Sequence, residues 1–366
     1  MKGFELTRTF HPVGQGAFYT EVFSKNGAAI FSVVYDCGTG TKAVDMSSLV
    51  DSFRSSIKQI DILFISHFHS DHISGLDRLL DGMTVKKTVI PMLPEDTVTL
   101  MRVQNLLEHK KDALAFDSII SDLYLSNDPP TRYGDIVLVN NYENSIKVKT
   151  GMSSRKVVES GLPLFGVDNM WEYIPFNSVE SEDQRAVDFV NELMNISGAV
   201  DDSGNLNVSG LIRGCRTEVR KLYERVMKNT KHNLYTMTLE SRPTDSIALK
   251  SDSKISSEER CLYLGDFDSV GNDQLWNRFI TCYDYKEIGM IQIPHHGSKD
   301  NWRDEFLNGG PRAYFVSAGT KNSFHHPDFW VMKDVFDSGS KSIVVSEKSG
   351  WSKEFAFEFK VKTNLS

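Results

Sequence analysis

Short runs of β-branched and aromatic residues recur along the chain at 29–36 (AIFSVVYD), 62–66 (ILFIS), 261–264 (CLYL), 290–293 (MIQI), 313–316 (AYFV) and 342–346 (SIVVS). Each is bounded by Gly, Asp, His or Ser, the punctuation of buried strands. Near the end, Phe355, Phe357, Phe359 and Val361 alternate with Ala356, Glu358 and Lys360, the period of two of a half-exposed strand. The middle keeps a different rhythm. Residues 101–116 and 182–196 carry helical spacing, the second through Ala186, Phe189, Val190, Leu193 and Met194. Residues 213–231 set Val219, Leu222, Tyr223, Val226 and Met227 on one stripe. The pattern predicts an α/β sheet domain whose halves lie in 1–96 and 241–366, with a mainly helical insertion or cap over 97–240.

Composition narrows the class. The 366 residues allow about two domains, but strand runs on both sides of the helical stretch favour one domain with an insert. Apolar residues at 40% and charged residues at 25% exclude a disordered or fibrous chain. No apolar run reaches the ~18 residues of a membrane span, and Met1–Phe10 lacks a signal-peptide apolar stretch. A soluble, cytoplasmic protein without a membrane partner is expected. Cys37, Cys215, Cys261 and Cys282 are too scattered for a disulfide framework or a CxxC zinc site. The formal net charge of −8 disfavours sequence-independent wrapping of duplex DNA.

The candidate chemistry sits at strand ends. Seven of the ten histidines fall in three clusters that each follow a strand run. Ser66-His67-Phe68-His69-Ser70-Asp71-His72 follows the first, and its imidazoles and carboxylate are ligand types suited to Zn²⁺, Mn²⁺ or Fe. Leu264-Gly265-Asp266 ends another run, and a lone carboxylate there is by itself weak evidence. Pro294-His295-His296-Gly297-Ser298 ends a third, where adjacent histidines alone could simply be solvated. Ser317-Ala318-Gly319, Asn322 and His325-His326-Pro327 follow the fourth. Occurring together in this order, the elements reinforce one another.

HFHSDH, LYLGD, IPHHGS and the Ser317/Asn322/His326-Pro327 set resemble the metallo-β-lactamase fold, and within it the ComEC-type, competence nuclease-like hydrolases. Val13-Gly14-Gln15-Gly16 and Tyr35-Asp36-Cys37-Gly38 are similar to the opening of the same group. The resemblance covers roughly 10–90 and 240–350. It implies a four-layer αββα sandwich with two divalent metal ions, Zn or Mn, at one edge. His67 and His69 would hold one ion, Asp71 and His72 the other, with Asp266 bridging and His295 completing the second site. Asp36 and His296 would stand behind the ligands and orient them. Two ions ~3.5 to 4 Å apart clamp attacking and leaving oxygens and acidify a water. Asp71 and His326, with Ser317 and Asn322 as supports, would carry the catalytic work, His326 by binding the phosphoryl oxygen or protonating the leaving group.

The sequence departs from the pattern twice. Where many members place a further histidine in an H-T-P-G-S stretch, this chain has Arg242-Pro243-Thr244-Asp245-Ser246. After VGQG, an expected Asp-Ala is Ala17-Phe18.

Other residues read as structural. His109 and His232 sit on polar stretches, although His232 could fold in as the missing ligand, and His11 precedes a proline. Trp171, Tyr173, Pro175 and Phe176 read as core rather than a base-stacking platform. The segment 213–231 is strongly basic, and Arg216, Arg220 and Lys221 are either a solvated helix face or a surface that steers a phosphate-bearing substrate. Three functions remain open: a phosphodiesterase or nuclease acting on a nucleotide or nucleic-acid substrate; an ester, thioester or lactam hydrolase; or a metal-binding partner subunit of a multi-protein system such as phage defence, contacting its partner through the insertion.

Overall fold

The β-branched and aromatic runs pair into two mixed sheets. The computed structural model describes residues 3–108, 112–141, 155–179, 184–227, 235–245, 247–249, 259–310, 312–348 and 352–361. The chain opens with β1 (Gly3–Phe10), β2 (Phe18–Lys25) and β3 (Ala28–Cys37), then α1 (Met46–Ser55), β4 (Gln59–Ile60) and β5 (Ile62–Phe64). It continues through α2 (Ser70–Ile73), α3 (Leu76–Leu80), β6 (Thr84–Val85), β7 (Lys87–Pro91), α4 (Glu95–Glu108) and α5 (Ala113–Tyr124). Four strands follow: β8 (Asp135–Asn140), β9 (Lys156–Glu159), β10 (Leu164–Gly166) and β11 (Trp171–Asn177). Helices α6 (Gln184–Leu193), α7 (Val208–Arg213) and α8 (Arg216–Val226) precede β12 (Met237–Pro243) and β13 (Ile247–Leu249). The chain closes with β14 (Cys261–Tyr263), α9 (Asp273–Cys282), β15 (Met290–Gln292), β16 (Ala313–Ser317), α10 (Phe329–Asp337), β17 (Lys341–Val345) and β18 (Lys353–Val361).

One sheet runs β13-β18-β1-β2-β3-β5-β7-β8-β9 and the other β10-β11-β12-β14-β15-β16-β17, with β4 and β6 a small separate pair. From β3 to β9, and from β14 to β17, neighbours are parallel. Parallel strands need helical crossovers that cover the outer faces. α1, α3, α4 and α5 bury Phe53, Leu79, Met101 and Ile120 against the first sheet, and α9 and α10 bury Phe279 and Val335 against the second. Between the sheets lies an aromatic core that includes Phe10, Tyr19, Tyr35, Trp171, Tyr263 and Phe315. The layers are thus α, β, β, α, the expected metallo-β-lactamase sandwich.

The stretch 97–240 is less helical than its periodicity suggests. β8 and β9 extend the first sheet, while β10, β11 and the start of β12 build the edge of the second. Pro175 hid β11, because proline cannot donate to a ladder. It is tolerated because β10 pairs only with Trp171, Glu172 and Tyr173, so Pro175 has a partner strand on one side alone. The helix expected over 101–116 is two helices, α4 and α5, and residues 109–111, His109 included, lie outside the described residues. The helix expected over 213–231 breaks at Gly214–Cys215, and its Lys228 and Lys231 lie outside the described residues. Apolar faces of α4, α6, α7 and α8 pack into their own cluster through Val103, Leu106, Phe189, Leu211, Val219 and Leu222. No helix among the described residues is long and apolar enough to cross a membrane, and the four cysteines are unpaired.

A charged pair is buried inside the sandwich. Glu21 on β2 accepts from Arg8 Nε, Tyr173 Oη, Ser241 Oγ and Tyr263 Oη, each at 2.8 Å. The last three come from the opposite sheet. Removing one member of a buried pair leaves an uncompensated charge. Glu21→Ala is therefore expected to lose about 3–5 kcal/mol of stability, and Arg8→Met/Glu21→Leu distinctly less. Urea denaturation of both variants checks this; equal losses would contradict it.

Candidate metal centre

Strand ends from both sheets converge on one edge of the sandwich. From the first sheet come Asp36 at the end of β3 and the segment Ser66–His72, which leads from β5 into α2. Asp266 follows β14, His295 and His296 follow β15, and Ser317 ends β16. Close approach needs bare backbone here. A Cβ on Gly38 would lie 2.6 Å from the backbone of Asp71 and His72, and one on Gly16 would lie 2.5 Å from the Asp71 carbonyl. Ala17, the departure after VGQG, donates its amide to that carbonyl (3.2 Å) and buries its side chain.

The two carboxylate oxygens of Asp266 face different sets of nitrogens. Oδ2 lies 3.4 Å from His67 Nε2, 4.0 Å from His69 Nδ1 and 3.8 Å from His295 Nε2. Oδ1 lies 3.4 Å from His72 Nε2 and 3.9 Å from His296 Nε2. Asp71 Oδ2 meets His296 Nε2 at 3.1 Å. Among the described residues, two sets of ligand atoms are tight enough for an ion: His67, His72 and Asp266, and Asp71, His72 and His296, each within 4.8 Å of one another.

Hydrogen bonds behind the rings decide which nitrogen points inward. His72 Nδ1 donates to Asp36 Oδ2 (2.7 Å), His296 Nδ1 to the Ser317 carbonyl (3.0 Å) and His295 Nδ1 to Asn301 Oδ1 (2.9 Å). Ser66 Oγ donates to Asp36 Oδ2 (2.6 Å) and so accepts from His67 Nδ1 (3.0 Å). These four rings turn Nε2 inward, whereas His69 turns Nδ1. Asp36, His295 and His296 hold positive φ angles of 56°, 47° and 56°, strain of the kind that gathers at functional sites.

The donor set fits a cation. His67 Nε2 and His69 Nδ1 lie 3.2 Å apart, so two lone pairs oppose each other unless a proton or an ion lies between them. His72 Nε2 and Asp266 Oδ1 are buried and have no hydrogen-bond partner among the described residues. Burial opposes charge on Asp266, but the imidazoles of His295, His67 and His72 hold it well below the usual carboxylate range. Burial likewise opposes charge on His72, and Asp36 and Asp266 outweigh it and raise its pKa well above the ordinary value. Burial, with His67 beside it, pushes His69 down to about 3, keeping it a neutral donor.

Some sequence expectations are rearranged. His296, expected behind the site, sits in the ligand group with Asp71 and His72, whereas His295 shares Asp266 Oδ2 with His67 and His69. Arg242-Pro243-Thr244-Asp245 lies at the far end of β12, because Met237 at its start donates to the Ser66 carbonyl (2.9 Å). His232, the proposed substitute ligand, lies outside the described residues. Ser317 does not meet His326: its hydroxyl accepts from Tyr19 in the core (3.0 Å), and only its carbonyl serves the site. Asn322 braces the loop, donating to the Gly319 and His326 carbonyls (both 2.6 Å) and accepting from His326 N (2.8 Å). His326 lies 5.9 Å from the His295 ring, and its Nδ1 is buried with no hydrogen-bond partner among the described residues.

Arg216 and Arg220 cap α4, both donating to the Leu107 carbonyl (2.8 and 2.6 Å), while Lys221 is exposed. His11 is buried, stacked on Phe18 and bonded to Thr20 (3.0 Å). Sequence reasoning missed Ser66, Asn301 and Gln104, whose amide lies 3.5 Å from His69 Nε2. Ser66 precedes the motif and was within reach; Gln104 and Asn301 carry no local signal.

Comparison with known proteins places residues 31–135 in the metallo-β-lactamase superfamily profile. A ribonuclease Z of Agathobacter rectalis is 35% identical over 86 residues, 24% of this chain and 27% of that protein. The chain therefore spans about a quarter of the length of that curated relative. Among solved structures, the metallo-β-lactamase fold protein YhfI of Bacillus subtilis aligns over 97% of this chain and 100% of its own (9% identity, TM-score 0.39). The long form RNase Z of yeast aligns over 86% of this chain and 36% of its own (11% identity, TM-score 0.35).

Asp36 grips His72 from behind, so its loss should show in metal affinity. Asp36→Asn is expected to weaken divalent-ion binding about 10- to 100-fold, read by competition with a chromophoric chelator. Unchanged affinity would mean that the grip is dispensable.

Proposed function

We propose that this metallo-β-lactamase superfamily protein is a metal-dependent phosphodiesterase acting on a nucleotide or a nucleic-acid end. The observation that carries the reading is the division of nitrogens between the two oxygens of Asp266. His67, His69 and His295 with Oδ2 would hold one ion, and Asp71, His72 and His296 with Oδ1 the other. Zinc or manganese so held would supply Lewis acidity to a phosphoryl oxygen and acidify water. The short stretch of likeness to ribonuclease Z supports a phosphodiester over a carboxylic ester or lactam.

The surrounding residues bind and orient. Asp266, kept ionised by its imidazole neighbours, ties the two ligand groups into one rigid unit. Burial and the nearby His295 and His296 push His326 down to about 4. Its ring is then neutral near pH 7 and offers a phosphoryl oxygen a hydrogen bond rather than a charge. Asn322 holds that ring in place through the backbone on both sides of it. The guanidiniums of Arg216 and Arg220 each give one N–H to the end of α4 and keep their charge, so with the exposed Lys221 they would form a basic face able to steer a phosphate.

Purified protein supplied with Mn²⁺ or Zn²⁺ is expected to hydrolyse a chromogenic phosphodiester, with Asp71→Asn lowering turnover more than about 100-fold. Stripping metal with a chelator should abolish the activity, and adding back one of the two ions should restore it. Bound metal without diester turnover under either ion would sink the proposal. Thioester and lactone turnover would then mark the ester-hydrolase reading, and its absence the metal-binding subunit.

A further inference from the structure

Phe324 is 70% exposed, yet its ring lies nearly parallel to His326, with centroids 5.8 Å apart and planes 13° apart. His326 in turn lies 5.9 Å from His295, whose Nε2 faces Asp266. A file of rings therefore leads from solvent to the ligand cluster. The loop that carries it is braced by Asn322 at Gly319 and His326, so the outer face of Phe324 is presented by a held backbone. Lys321, on the same loop, is exposed.

We infer that Phe324 and Lys321 form a subsite for one unpaired nucleotide beside the scissile phosphodiester, with Phe324 stacking on its base and Lys321 meeting its outer phosphate. The inference rests on the phosphodiesterase reading for the identity of the scissile bond. An aromatic face exposed to water loses little by taking a base, and every base offers a π-face whatever its sequence. Within a duplex both faces of a base are already stacked, so the subsite selects a single strand or a frayed end. The chain's net charge of −8 agrees, since duplex wrapping would need a broad basic surface. Trp171, Tyr173 and Phe176, the aromatics that sequence reading weighed for this role, are fully buried. Phe329, Trp330 and Phe336 on α10 are also exposed, but among the described residues no ring contact joins them to His326.

The test compares two esters in metal-loaded protein: thymidine 5′-(p-nitrophenyl phosphate), which has a base, and methyl p-nitrophenyl phosphate, which has none. Phe324→Ala is expected to lower the ratio of kcat/KM for the first over the second about tenfold, mainly through KM, and Phe324→Trp to keep it. An unchanged ratio overturns the subsite. If the unaltered protein turns over neither ester, the phosphodiesterase reading fails on its own. The subsite is then judged by fluorescence anisotropy with a short oligothymidylate and an abasic strand of equal length. Base-dependent binding that falls about tenfold in Phe324→Ala supports it; equal binding of both strands, or no effect of the substitution, refutes it.

Discussion

Burying Glu21 between two sheets makes their alignment a matter of hydrogen bonding as well as of packing. One carboxylate on β2 has no water to turn to, and its acceptor sites are filled by Arg8 on its own sheet and by Tyr173, Ser241 and Tyr263 from the other. An apolar sandwich can slip along a smooth interface, whereas a buried polar network is satisfied at one setting only. Two further pins cross the gap nearer the edge, from Tyr35 to the Met237 carbonyl (2.9 Å) and from Tyr19 to Ser317 (3.0 Å). The setting matters because the candidate centre is split between the sheets. His67, His69, Asp71 and His72 come from one, Asp266, His295 and His296 from the other. An error of an ångström between layers would separate the nitrogens from the carboxylate they face.

Local strain completes what the layers begin. A left-handed residue one position before a strand's end turns its side chain away from the pleat, as Asp36 does behind His72. Hydrogen bonds on the outer nitrogens then hold each imidazole in a defined orientation before any ligand arrives. The same outer bonds come from groups that sequence-local reasoning cannot weigh, such as the Ser317 carbonyl and the Asn301 amide.

That contrast accounts for what could be read in advance. The HFHSDH segment was legible as candidate ligand chemistry at a strand end, whereas Asp266 and the histidine pair, weak signals alone, gained their weight from following it in order and from the resemblance those elements carry together. Which member of the pair joins which group was not legible, since it depends on the backbone turn rather than on residue type. Gln104 was missed because α4 brings it to His69 from 35 positions along the chain. β11 was missed because Pro175 argues against a strand until the shortness of β10 is known. Arg216 and Arg220 read as surface charge because only the folded chain shows Leu107 beside them.

The consecutive left-handed residues His295 and His296 have a mechanical consequence. Neighbours on one tight bend send their rings to opposite sides of Asp266, so a single bend serves as a yoke for both halves of the centre. Neither half can shift without pulling the other through that bend and through the shared carboxylate. Under the two-ion reading proposed above, an ion taken up by one half would therefore bear on the geometry offered to the other.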